Sequence, residues 1–160
     1  MSDKWVFNAS PLILMGKAGQ LTWLEQLGTV IIPSAVADEI RAGSPDDPAR
    51  IFVDDPARDD WIRDVPPNES VLAWDLGSGE SAVIAWAIAH PDHEAVLDDS
   101  AARRCGGVFG IRLRGTLSLV ALAKNRGWVP ACRPVFEKML QAGLFVSPEL
   151  VDQVAESVGE

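Results

Sequence analysis

The sequence predicts an α/β fold, a three-layer α/β/α arrangement whose central sheet is mostly parallel. Three observations predict it. Short strand-like runs alternate with helical segments along the whole chain, the pattern of parallel strands joined by right-handed crossovers. The run "WVF" is continuously apolar, as buried strands are, and "TVII" is a run of β-branched residues. The helix-like stretch "SAVIAWAIA" is apolar on nearly every side, so most of its surface is buried.

The elements follow in order. Trp5–Phe7 reads as a short buried strand ending at Asn8. Ser10-Pro11 opens a helix, Ser as N-cap and Pro at the first helical position. Leu12, Ile13 and Met15 give it an apolar side, and Gly16 and Gly19 limit it. Residues 21–27 form a second short helix. The β-branched run "TVIIP" is a strand stopped by Pro33, and Ser34 caps the helix that carries Glu39. "GSPDDP" is a loop, residues 49–60 are helical or irregular, and 61–65 are a brief strand ended by Pro66-Pro67. Gly77-Ser78-Gly79 supplies the turn into the apolar helix that begins with Glu80. "EAVLDD" is a strand closing on two carboxylates; a helix over 100–109, the strand "IRLRG" and helices over 116–125, 133–142 and 148–158 complete the chain.

At 160 residues, with 48% hydrophobic and 23% charged side chains, one globular domain over 1–160 is expected. No apolar stretch reaches the roughly 20 residues of a membrane span. The opening "MSDKWV" lacks the layout of a signal peptide, so a cytoplasmic location and no membrane contact are expected. Cys105 and Cys132 form no CxxC pair and read as small buried residues. His90 and His93 flank a turn at Pro91 without a third ligand, which argues against zinc. The six tryptophans read mainly as core.

The net charge of −9 is unevenly spread. Residues 36–99 carry sixteen acidic and four basic side chains, a balance of −12. Residues 100–140 carry eight basic side chains against Glu137 alone, a balance of +7. Such a chain can set a basic face beside an acidic cleft.

In parallel α/β sheets the functional crevice lies beyond the carboxyl ends of the strands. Asn8, Asp98-Asp99 and Gly115-Thr116 fall at such ends, and Glu39 and Glu80 lie on helices that follow strand or turn segments. Each has a local explanation: Asn8 a turn, Glu80 the positive end of its helix, Asp98-Asp99 and Thr116 caps, Glu39 an exposed surface residue. Together they would gather carboxylates at one edge, and a hard divalent cation such as Mg²⁺ or Mn²⁺ is the simplest relief of their repulsion.

The order and spacing of "VFNASPLI", "VIIPSAVADEI", "GSGESAVIAWAIA" and "AVLDDSAARR" resemble the PIN-domain ribonucleases, the family that includes VapC-type toxins of toxin–antitoxin pairs. "RLRGTLSLVALAKNRGWVP" and "LQAGLFVSPELVDQVAE" are similar to one branch of that family, described as predicted nucleic-acid-binding proteins. The resemblance implies a PIN-like fold and a Mg²⁺- or Mn²⁺-dependent endoribonuclease that cuts single-stranded RNA. It implies a homodimer and an antitoxin partner. By position it assigns catalysis to Glu39, Glu80, Asp98 and Asp99, metal binding to Asn8, Glu80, Asp98 and Asp99, and contacts to nucleic acid to Ser10 and Thr116. Arg103 and Arg104, one helical turn past Asp99, are added as phosphate contacts. Family members usually carry aspartate where this chain has Asn8, a neutral oxygen donor. The departure leaves open a second reading, a PIN module that has lost its chemistry and acts by binding RNA or an antitoxin.

Overall fold

The computed structural model describes residues 3–160. Five parallel strands run in the order β3-β2-β1-β4-β5: β1 Lys4–Phe7, β2 Thr29–Pro33, β3 Ile62–Arg63, β4 Glu94–Val96 and β5 Arg112–Arg114. Helices fill the connections: α1 Ala9–Lys17, α2 Leu24–Leu27, α3 Ser34–Arg41, α4 Pro48–Asp54, α5 Glu69–Leu72, α6 Ser78–Ala89, α7 Ser100–Val108, α8 Thr116–Asn125, α9 Arg133–Gln141 and α10 Pro148–Ser157. This is the three-layer α/β/α arrangement expected of a PIN-like chain.

Position in the sheet explains the strand compositions. β1 is central, paired with β2 through Val6↔Ile31 and with β4 through Val6↔Ala95, and Trp5, Val6 and Phe7 are fully buried. With both faces covered, no polar alternation is possible. β5 is an edge, and its arginines suit a strand with one open flank. There Arg114 Nε donates to Glu94 Oε2 at 2.7 Å, which neutralises a glutamate only 8% exposed.

Helix α6 is buried through Gly79, Ser81, Val83, Ile84, Ala85 and Ala87 and packs against α3. Burial on several sides explains its lack of a polar face. Cys105 and Cys132 are free and buried, and no helix among the described residues is long and apolar enough to cross a membrane. Trp5 and Trp23 are core; Trp74 is exposed, and the other tryptophans are partly buried.

Several boundaries differ from the sequence reading. The first helix starts at Ala9, with Asn8 rather than Ser10 in the N-cap position, because the chain turns directly out of β1. Ser34 and Thr116 are likewise first helical residues, and Pro33 and Gly115 occupy the caps. Residues 21–27 divide into a 3₁₀ turn, Leu21–Trp23, and α2. The strand expected over 61–65 shrinks to two residues, since Pro56–Trp61 coils as 3₁₀ helix. The short helix α5 was not anticipated; Asn68 Oδ1 accepts from the amides of Ser70 and Val71 and starts it.

Candidate active site

The strand ends meet as parallel topology requires. The Asn8 amide extends the ladder past β1 by donating to Val96 O at 3.2 Å, and the Leu97 amide donates to Arg114 O at 3.0 Å. Asn8, Asp98 and Thr116 therefore leave neighbouring strands at one edge. Packing of α3 on α6 brings Glu39 to the start of α6, beside Gly79 and Glu80.

A cavity of about 500 Å³ opens at this edge, lined by Ser10, Glu80, Asp98, Asp99 and Ser100, with Leu144 and Phe145 on its far wall. Burial pushes the Glu80 carboxyl above the ordinary glutamate range, and like charge from Asp99 and then Glu39 pushes it further; a hydrogen bond with the Gly77 backbone opposes them. Three carboxylates from three separate elements thus act on one another.

Gly79 is the hinge of this cluster. A Cβ there would stand 2.8 Å from Glu39 Oε2 and 3.4 Å from Asn8 Oδ1. A bare glycine lets both oxygens approach the start of α6. Asn8 is 4% exposed, and its Oδ1 has no hydrogen-bond partner among the described residues. An orphaned buried acceptor is costly unless something electropositive meets it.

The other expected residues fall into two groups. Ser10, Asp99 and Arg104 are exposed, and Ser10 and Asp99 face the cavity. Asp99 also caps α7, Oδ2 accepting from the Ala102 amide at 3.0 Å. Asp98, Thr116 and Arg103 are engaged with the protein. Asp98 Oδ1 accepts from the Thr116 amide at 2.8 Å, and Oδ2 accepts from the Thr116 hydroxyl. Thr116 is fully buried behind Asp98, whereas the sequence reading expected it to contact nucleic acid. Arg103 Nη1 donates to Leu97 O at 2.9 Å and ties α7 to the end of β4.

Among the described residues, no three His, Cys, Asp or Glu side chains stand close enough to form a finished metal centre. The donors present still suit a hard divalent cation: carboxylates that repel one another and a neutral amide oxygen with nothing to accept from. Sequence reading took Gly79 only as a turn residue; the close spacing of three small residues before Glu80 was the available signal. His90 stacks on Trp86, and His93 Nδ1 contacts Asp92 Oδ1 at 3.0 Å.

A family model described as a PIN domain matches residues 4–160. No match was found among curated proteins or solved structures.

Proposed function

The chain belongs to the PIN-domain family, and on that footing we propose that it is a divalent-metal-dependent endoribonuclease acting on single-stranded RNA. The family is one of nuclease-type, nucleic-acid-binding domains, and we take the whole chain as one such domain. The observation that carries the reading is the environment of Glu80, where burial and the charges of Asp99 and Glu39 all oppose ionisation.

Glu80 and Asp99 are the principal residues to hold Mg²⁺ or Mn²⁺, with Asn8 Oδ1 and Glu39 meeting beside them over Gly79. When bound, such an ion would supply Lewis-acid chemistry, polarising a phosphoryl oxygen and lowering the pKa of a water beside it. The chain's own residues do the remainder. Asp98, fixed by Thr116, keeps a second carboxylate at the strand end without needing a cation of its own. Ser10, exposed on the first turn of α1, offers a hydroxyl to a phosphate oxygen at the rim. Arg103, held at the end of β4, and Arg104, exposed on α7, add positive charge that favours the flanking phosphates.

Incubation of the protein with labelled RNA and Mn²⁺ tests this, next to Glu80→Ala. Cleavage by the wild type alone is expected; equal cleavage by both would remove Glu80 from the chemistry. The neutral Asn8 favours a second reading, a PIN module that binds RNA without cutting it. RNA binding with no cleavage in Mg²⁺ or Mn²⁺ would select that one. On the family resemblance alone, we extend the nuclease reading to the toxin of a toxin–antitoxin pair, working as a homodimer with an antitoxin protein as partner.

A further inference from the structure

A second cavity adjoins the acidic one. It measures about 270 Å³, and its walls are largely apolar through Leu117, Val146, Leu150 and Val154, with Arg103 at its edge. Asp98 and Phe145 line both cavities, so the two lie side by side. Phe145 follows Gly143, whose φ of +111° turns the chain between α9 and α10. It is 100% exposed, whereas Phe7 and Phe136 are buried at 0% and 1%. A whole phenyl ring is thus held in water at the lip of the site.

The acidic cavity by itself repels a polyanion, and the chain's net charge is −9. Affinity for a single strand must then come from contacts other than the carboxylates. A nucleic acid strand carries phosphates and bases side by side, so a phosphate among the carboxylates leaves an adjacent base at the neighbouring opening. Apolar walls and an exposed aromatic face suit a base. Arg103, pinned by Leu97 O, keeps further N–H donors of its fork for the phosphate between the two cavities. We propose that the second cavity seats a nucleobase of the single-stranded RNA whose phosphate enters the acidic cavity, with Phe145 stacked on the base. The inference rests on the ribonuclease reading and adds to it a subsite for the substrate.

The test measures fluorescence anisotropy of labelled oligo(rU) and oligo(rA) in Ca²⁺, with matched strands carrying one abasic site at successive positions. Wild type, Phe145→Ala and Phe145→Trp are compared, and cleavage in Mn²⁺ is followed in parallel. Since Phe145 is fully exposed, the variants should melt with the wild type. Phe145→Ala is expected to weaken binding of intact strands on the order of ten-fold, and Phe145→Trp to retain it. At one abasic position the wild type should fall to the level of Phe145→Ala, which loses nothing more there. If Phe145→Ala binds every strand as the wild type does while the wild type still cuts RNA, the subsite is refuted and the nuclease stands. If its loss is the same on intact and on all abasic strands, the ring serves a protein contact and the subsite is again refuted. A wild type that neither binds nor cuts any strand refutes the subsite together with the ribonuclease reading.

Discussion

Replacing Asn8 by aspartate puts a formal charge where the structure holds a neutral, buried and unpartnered oxygen. Asn8 Oδ1 and Glu39 Oε2 lie 3.4 and 2.8 Å from one point over Gly79, so they are no more than about 6 Å apart, and unit charges at that separation repel by about 3 kcal/mol at an effective dielectric constant of ~20. Glu80 adds to the same side of the balance. Without metal, Asn8→Asp is therefore expected to lower Tm by about 6–12 °C, at roughly 2–4 °C per kcal/mol for a chain of this size. With a divalent ion the sign reverses, because the new charge faces a cation. Mn²⁺ affinity should rise at least ten-fold, about 1.4 kcal/mol. Isothermal titration calorimetry reads the affinity and differential scanning fluorimetry the two melting temperatures. Equal Mn²⁺ binding by both proteins, together with an unchanged metal-free Tm, would show that Asn8 faces neither Glu39 nor an ion.

Gly79→Ala, a change that usually helps a helix by about 1 kcal/mol, should leave Tm near the wild type yet displace Glu39 and Asn8, weakening Mn²⁺ binding in calorimetry on the order of ten-fold or more. Glu80→Gln should abolish the Mn²⁺-induced rise in Tm. Because the folded Glu80 pKa is raised, its contribution to stability is complete at low pH and lost as pH rises through that pKa, so metal-free Glu80→Gln should match or exceed the wild type at neutral pH and lose that advantage in acid. Urea denaturation across pH checks the sign. Thr116→Val removes the buried hydroxyl that donates to Asp98 and should cost about 2 kcal/mol in the same assay, with RNA cleavage falling as Asp98 loses its position.

The central strands were legible because burial on both faces leaves a continuous apolar signature, seen in Trp5-Val6-Phe7 and in Val30-Ile31-Ile32. The edge strand β3 was legible in place but not in length, since two residues carry no period. Helix α5 escaped because a four-residue helix rests on one cap, Asn68, and not on a repeating face. The position of N-caps shifted wherever a strand ran straight into a helix, as at Asn8.

The sequence by itself determined the alternation of strands and helices and placed Asn8, Asp98 and Asp99 at strand ends, because periodicity and strand termination are local. It also pointed to Glu39 and Glu80 through the order of the motifs. Tertiary structure decided which polar atoms stay free. Asp98 and Thr116 lie 18 residues apart and close on each other; Arg103 folds back to Leu97; Asn8 Oδ1 is left with nothing to accept. It also made Gly79 the point where two oxygens meet and set Phe145 on the lip of two cavities. Hydrogen-bond pairing and exposure are settled by which distant segments pack together, and no local pattern of residues encodes that.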